Sequence, residues 1–350
     1  MILEEINLQS FRNFNAFKCV FDDKFTILLA PNSSGKTNLL EAIYFVLSGE
    51  GFRESREVEL INYHGARDGS VGARFRQNEE TVASKIALVA TDTNVKKAFF
   101  LNGSKVTHPQ YMREQTRAVL FAPSQIEILT GTPEKRRSYI NTILSSYDLE
   151  YKKRLTNYEN ALRKRNKVLE ASFGSANPDS QLTFWNDYMI EQALYISSKR
   201  RSYIDFVNAN KTDIGRSYTV VYRQNTFTAE RLEEYKSLER RICKTVIGPQ
   251  KDEFEIQMGD DKKNVALFGS RSEQRLAILW LKLSEIQYCI EQTNLKPILL
   301  LDDIFSEFDT HNKKAVLGLV ENYQTVATTT EEEITQLAKI RHSVIKVKVV

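Results

Sequence analysis

The sequence predicts an α/β fold: a parallel, phosphate-binding sheet with an antiparallel β subdomain beside it and an inserted lobe of long helices. Three observations predict it. A strand, a Gly-Lys-Thr loop and a helix follow one another between Phe25 and Leu47. An apolar run, Ile298 to Leu301, ends in Asp302 and Asp303. Between them lie two long stretches with helical apolar spacing, one opened by Thr132-Pro133 and running towards Ala171, the other from about Thr183 to Asn208.

Phe25 to Leu29 reads as a buried strand, and Asn38 to Leu47 as a helix. Between them stands Ala30-Pro31-Asn32-Ser33-Ser34-Gly35-Lys36-Thr37. A loop of this composition in this place is a phosphate-binding loop. Consecutive backbone N–H groups and the helix N-terminus concentrate positive potential on a triphosphate. Lys36 is expected to reach the β- and γ-phosphates, and the Thr37 hydroxyl to ligate Mg²⁺. The expected nucleotide contacts run from Ala30 through Asn38. This motif usually opens on Gly. Ala30 has a Cβ that makes φ > 0 costly, so the start of the loop is expected to differ. The bland alternative, a Ser/Gly loop with a chance Lys-Thr, is disfavoured by the flanking strand and helix.

A length of 350 residues allows two domains, or one large domain with an insertion. Apolar residues at 41% and charged residues at 27% suit a globular chain, and a net charge of +4 is too small to name a partner. Cys19, Cys243 and Cys289 are widely spaced with no CxxC, so neither a disulfide framework nor a thiolate zinc site is expected. No apolar run reaches ~18 residues and the N-terminus lacks a signal-peptide pattern, so a cytoplasmic location is expected.

Ile2 to Leu8 alternates as a strand, Ser10 to Phe14 reads as a polar-aromatic turn, and Phe17 to Val20 as a second strand. Runs at 69–77, 82–90 and 95–101 read as an antiparallel meander closed by the hairpin signal Asn102-Gly103. A short strand is expected after Ala118. Thr132 caps the first long helix and Pro133 takes its first position, with a break expected near Ser145–Asp148. A loop is expected at 172–180. Strand signals return at 217–222 and 254–258, around a charged helix from Ala229 to Lys244 and a rigid Gly248-Pro249 turn. The expected boundaries are 1–122 for the N-terminal part of the nucleotide-binding head, 123–245 for the helical lobe, and 246–350 for the C-terminal part of the head.

The helical lobe carries the clearest charge asymmetry. Between Glu134 and Lys167 stand ten Lys or Arg against four acids, a local balance of +6. One reading is a solvated helix face. The sharper reading is a surface that contacts DNA phosphates, with Arg136, Arg137, Lys153, Arg154, Arg163, Lys164 and Arg165 as the contacting side chains.

Ile298 to Leu301 suits a central parallel strand covered on both faces, and ligands bind at the carboxyl ends of such strands. Asp302 is placed to hold Mg²⁺ beside Thr37, and Asp303 to orient and deprotonate an attacking water. The long separation of the two halves argues against a small-molecule kinase. The segment Phe268 to Arg275 reads as a polar loop before an amphipathic helix, Leu276 to Glu291. A Ser-rich loop there is a second anion site. Its position, one helix before the acidic strand, is that of an ABC-type signature, so Ser270, Arg271, Ser272 and Glu273 are expected to bind the γ-phosphate of ATP held by a second copy. Ile304 to Asp309 occupies the place of the dimer-interface loop. Gln324 to Ala327 reads as a strand ending in Thr328-Thr329-Thr330, with Thr330 as the γ-phosphate sensor. The last strand is expected at Ser343 to Val350. The class is thus a P-loop NTPase with an ABC-type ATPase head.

At these residues the chain resembles the RecF family of SMC/Rad50-like ABC ATPases. Asn7 to Phe14, Asn32 to Tyr44, Gly51-Phe52-Arg53, Phe121 to Arg137, Arg165-Asn166, Phe184-Trp185, Gly248 to Asp252, Leu299 to Asp309 and Thr328 to Thr330 carry the resemblance over nearly the whole length. It implies an ATP- and Mg²⁺-dependent DNA-repair clamp: two heads close on gapped or duplex DNA when ATP binds, help to load recombinase, and reopen on slow hydrolysis, with RecR and RecO as partners. Departures from the family pattern are Ser272 where the signature has Gly, Gln250-Lys251 in place of His-Arg, and Ser124-Gln125 in place of an acidic pair. Gln125 is a further expected metal ligand. Ala30 and Ser272 together lead to an expectation of weaker or slower ATP-driven dimerisation. A different class stays open: a RecF-like ATPase that regulates a protein partner without touching DNA.

Overall fold

A computed structural model describes all residues except 32–33, 54–55, 63–66, 78, 92–93, 172–178, 211–215, 309–312, 314–315, 319, 331–341 and 347–350. Asn32, Ser33, Asp309, the loop expected near 172–180 and the end of the last strand therefore lie wholly or largely outside the described residues. The chain divides into two compact units, residues 1–124 with 289–350, and residues 125–288.

The first unit opens with an antiparallel sheet. Strands β1 (Ile2–Phe11), β2 (Phe14–Val20), β4 (Asp68–Gln77), β5 (Glu80–Ala90), β6 (Val95–Leu101) and β7 (Ser104–Val106) lie in the order β2-β1-β4-β5-β6-β7. Strand β3 (Phe25–Leu29) leaves this sheet for a second one, and helix α1 (Lys36–Ser48) follows it. Alternation puts Ile6, Leu8, Val71, Phe75, Ile86 and Leu88 on one face of the antiparallel sheet, in one core with Leu39, Leu40, Ile43 and Phe45 of α1. The same core takes Leu28, Leu300 and Val326 from the parallel sheet. Helix α1 is thus apolar on two faces because a sheet covers each. Helix α2 (His108–Glu114) starts at a Thr107–Gln110 capping box, and Tyr111 donates to the Val46 carbonyl at 2.6 Å. Strand β8 (Ala118–Phe121) closes the N-terminal portion.

The second unit is mostly helical. Helices α3 (Glu127–Thr130), α4 (Pro133–Tyr147), α5 (Leu149–Ala171) and α6 (Asp179–Ala209) follow in turn. The break between α4 and α5 falls at Asp148, whose carboxylate accepts the Tyr151 N–H at 2.8 Å. Arg165 bonds Asn186 and Arg200 bonds Tyr151, so α5 and α6 run antiparallel. Strand β9 (Tyr218–Arg223), helix α7 (Ala229–Ile242), strands β10 (Glu253–Met258) and β11 (Lys263–Asn264), the single turn α8 (Val265–Phe268) and helix α9 (Arg271–Thr293) complete it. Strand β9 pairs with β10 from Arg223–Glu253 to Tyr218–Met258. The boundary expected at 245/246 cuts through this pairing, so residues 246–288 pack with the helices rather than with the nucleotide-binding sheet.

The chain then returns to the first unit with β12 (Ile298–Asp302), β13 (Thr325–Thr329) and β14 (His342–Lys346). The second sheet is parallel throughout, in the order β14-β3-β13-β12-β8. Every residue of β12 and β13 is buried, as an apolar run in a parallel sheet requires.

Candidate nucleotide site

Register brings the site together. Leu28 pairs with Thr328, and Thr328 with Asp302, so β3, β13 and β12 end at one edge of the sheet. The loop after β3, the two aspartates after β12 and the hydroxyls of β13 share that edge, where open α/β sheets bind ligands. Together Ser34, Gly35, Lys36, Thr37, Asn38, Arg53, Asp303 and Thr328 line a cleft of about 250 Å³.

A hydrogen-bonded chain runs across the cleft floor. The Thr37 hydroxyl donates to Asp302 Oδ1 at 2.9 Å, and the Thr328 hydroxyl donates to the same oxygen at 2.9 Å. The Asp303 N–H donates to Thr328 Oγ1 at 2.8 Å. Asp303 has φ 47°, a left-handed conformation that turns the backbone sharply out of β12. Thr328 rather than Thr330 lines the cleft; Thr330 is exposed one residue beyond β13.

Lys36 is buried and donates to the carbonyls of Ala30 and Pro31, the latter at 2.8 Å. Burial lowers its pKa, while Asp303 and Asp302 pull the other way. Among the described residues the buried Ser34 hydroxyl has no hydrogen-bond partner, as befits a group that faces a ligand. Ala30 is buried and is not among the residues with positive φ, so its Cβ meets no left-handed strain at the start of the loop. Gly35 is the position that needs glycine: its φ is +88°, and a Cβ would lie 2.6 Å from Asn13 Nδ2.

That contact exposes what the sequence reading missed. The turn between β1 and β2 braces the loop: Asn38 Nδ2 donates to Asn13 Oδ1 at 2.6 Å, and Arg12 binds the Glu41 carboxylate through two bonds of 2.7 and 2.9 Å. Glu41 is fully buried in α1 and is shared with Arg53, whose side chain also reaches Asn38. A charge in the apolar face of a helix was the sequence signal: Glu41 needs cationic partners, and Arg12 and Arg53 supply them.

The donor set suits Mg²⁺, which takes one or two protein oxygens and keeps phosphates and waters as its other ligands. Thr37 and Asp302 fit that role. Among the described residues no cluster of three metal-ligating side chains exists. Gln125 stands at the start of the second unit, in a 3-10 turn from Pro123 to Ile126.

The segment expected as a signature loop is largely helix. Arg271 already belongs to α9, because Ser270 and Glu273 form a capping box: Glu273 Oε2 accepts from the Ser270 N–H at 2.8 Å, and Ser270 Oγ accepts from the Glu273 N–H at 3.3 Å. Ser270, Arg271 and Ser272 are exposed at the N-terminus of this long helix.

The basic residues of the lobe separate into two sets. Arg165 is 3% exposed, and its guanidinium donates to Asn186 at 2.7 Å, Thr245 at 2.6 Å and Glu239 at 2.6 Å. Arg136 makes a bidentate pair with Glu253 at 2.7 and 2.9 Å, and Arg137 is buried against the Asp252 carbonyl and Glu134. Arg137 and Arg165 are buried and Arg136 is half-buried, each bonded within the unit, which counts against their reading as DNA contacts. The helical spacing of the buried α5 residues Tyr151, Tyr158, Ala161, Arg165 and Leu169 marks Arg165 as an inward position. Arg154 is bound by Glu150 and Glu191, whereas Lys153, Arg163 and Lys164 are exposed.

A family profile described as RecF/RecN/SMC N terminal domain matches residues 2–349. The chain belongs to this family. It is 30% identical to the DNA replication and repair protein RecF of Exiguobacterium sp., over 98% of this chain and 97% of that one. Identity to the RecF of Halalkalibacterium halodurans is 28%, over 94% and 93%. A solved structure described as the recombination mediator protein RecF with ATP in the RecFOR pathway superposes with a TM-score of 0.84 at 26% identity, covering 97% of this chain and 93% of that one. The Smc head domain of Pyrococcus furiosus matches in fold, with a TM-score of 0.52 at 18% identity, covering 99% and 94%. The architecture is that of an ABC-type ATPase head. Among the described residues no helix is long and apolar enough to cross a membrane.

Proposed function

We propose that this RecF-family protein is an ATP-dependent DNA-repair ATPase that works as a clamp. ATP·Mg²⁺ binds in the cleft, with Lys36 on the β- and γ-phosphates, the loop N–H groups and Ser34 around them, and Thr37 and Asp302 on the metal. Asp303 activates the attacking water. Ser270, Arg271, Ser272 and Glu273 of a second copy complete the site, so ATP drives dimerisation and hydrolysis reopens it. DNA lies along the exposed cations Lys153, Arg163 and Lys164 of the helical lobe. The similarity to a mediator of the RecFOR pathway supports RecR and RecO as partners. Gln125 serves as a further metal ligand once the dimer closes.

The observation that carries the reading is the chain Thr37–Asp302–Thr328–Asp303 at the end of three parallel strands. It holds Thr37, Asp302 and Asp303 beside the phosphate loop, which supports their reading as a metal-binding pair and a general base. Light scattering with ATP and with ADP, with and without duplex DNA, tests it. The wild type should dimerise with ATP alone, and Asp303→Asn should hold the dimer by blocking hydrolysis. A mass that ignores ATP in both proteins defeats the clamp.

The internal use of Arg136, Arg137 and Arg165 keeps a second reading in play, an ATPase that acts on a protein partner. It predicts that reversing the charges of Lys153, Arg163 and Lys164 together leaves DNA affinity unchanged.

A further inference from the structure

The end of β13 carries a hydroxyl where a buried strand would be expected to carry a methyl. All five residues of this strand are buried, Thr328 completely. A central parallel strand covered on both faces is ordinarily Val, Ile or Leu. A hydroxyl there costs free energy unless its hydrogen bonds are made. At Thr328 they are, and the direction of each follows from its partner. A carboxylate only accepts, so the hydroxyl proton points at Asp302 Oδ1, 2.9 Å away. A backbone N–H only donates, so the hydroxyl oxygen accepts from the Asp303 N–H at 2.8 Å. One side chain thus grips Asp302 by its carboxylate and Asp303 by its backbone.

Each grip fixes a different thing. The Thr37 hydroxyl also donates to Asp302 Oδ1, so among the described residues both bonds of this carboxylate fall on one oxygen and none on Oδ2. Two donors on Oδ1 hold the carboxylate plane against rotation. Asp303 has φ 47°, and a residue with a Cβ stays in that region only when its surroundings hold it there. The hold comes from both sides: Thr328 takes the N–H, and the Ser306 hydroxyl donates to the Asp303 carbonyl at 2.8 Å. That backbone carries the Asp303 side chain at the lining of the cleft. Register accounts for the position. Thr328 is the residue of β13 paired with Asp302, alternation turns Thr329 to the other face, and Thr330 lies beyond the strand.

We infer that Thr328 is a positioning residue for ATP hydrolysis: its hydroxyl sets the Asp302 carboxylate for the metal and the Asp303 backbone for activation of the attacking water, and it acts through these two aspartates. This rests on the reading of Asp302 as a metal ligand and Asp303 as the general base.

The test uses the full-length chain and two variants. Thr328→Val keeps the branched shape and loses the hydroxyl; Thr328→Ser keeps the hydroxyl and loses the methyl. With ATP and saturating Mg²⁺, Thr328→Val should lower kcat about 10-fold or more, the usual cost of losing an outer partner of a metal ligand. KM for ATP should stay as it was, because Lys36 and the loop N–H groups are untouched. Thr328→Ser should restore most of the rate. In the nucleotide-free protein, amide exchange should quicken at Asp303 in Thr328→Val, stay slow there in Thr328→Ser, and be unchanged along the rest of β12. A kcat for Thr328→Val equal to that of wild type overturns the inference. So does a loss that Thr328→Ser shares, since the hydroxyl would then not suffice, and so does a change confined to KM, which would place Thr328 in substrate binding. Unaltered exchange at Asp303 in Thr328→Val overturns it as well. Failure of the ATPase reading is distinguishable, because the wild type itself would then leave ATP intact, while exchange measured without nucleotide still decides whether Thr328 holds the Asp303 backbone.

Discussion

Charged side chains inside this protein are held by partners, and each such set can be broken one residue at a time. Arg165 and Glu239 are 4% and 2% exposed at the side chain and 2.6 Å apart. Arg165→Met strands the Glu239 carboxylate, and breaking a buried pair from one side costs about 3–5 kcal/mol. The denaturant midpoint should fall accordingly, whereas Lys153→Met, on the surface, should shift stability by no more than about 0.5 kcal/mol. Equal midpoints for the two variants would mean that Arg165 is not the internal anchor described. Asp148 gives a pH signature. Burial pushes its carboxyl up, but bonds from Lys199, the Tyr151 N–H and Tyr195 outweigh this and leave its pKa below the ordinary 3.8. A depressed carboxyl contributes stability above its unfolded pKa and loses it as the pH falls through the folded value. Asp148→Asn should therefore melt lower than wild type at neutral pH, and the two curves should converge as the pH drops below the ordinary carboxylate range.

Elements were legible where local pattern and environment agree. The apolar runs of β3 and β12 read correctly because a parallel sheet covered on both faces asks for nothing else, and the break between α4 and α5 was visible in the polar residues around Asp148. The pairing of β9 with β10 was not legible: their partners are some thirty residues apart with a helix between, and no local signal joins them. Likewise a count of charges could not tell Lys164 from Arg165, although the buried stripe of α5 distinguishes them. At Ser270–Glu273 the spacing of a Ser and a Glu three residues on already spells a capping box, which starts α9 where the polar composition suggests a loop. That box gives a prediction at the scale of the element. Ser270→Ala should cost about 1 kcal/mol and speed amide exchange in the first turn of α9 only. Ser270→Asp, which keeps an acceptor at the cap, should restore protection. Exchange unchanged in the alanine variant would mean that the first turn does not depend on its cap.

The molecule as a whole combines a discontinuous unit that holds the nucleotide cleft with a unit, residues 125–288, that holds the buried arginine pairs. Each has its own core, and chains of this kind commonly unfold in more than one step. A ligand stabilises the unit that binds it by RT ln(1 + [L]/Kd), about 2.7 kcal/mol at a hundredfold excess over Kd. Calorimetry should therefore resolve two transitions that respond to different changes. ATP with Mg²⁺ should raise the one belonging to the cleft and leave the other in place. Lys36→Met should remove that response, because the side chain that bridges the loop carbonyls is the one meant to meet the phosphates. Glu239→Ala should lower the other transition and spare the ATP response. If nucleotide and Glu239→Ala instead move a single transition together, the two units fold as one cooperative body, and a change at the cleft would then reach the lobe through shared stability.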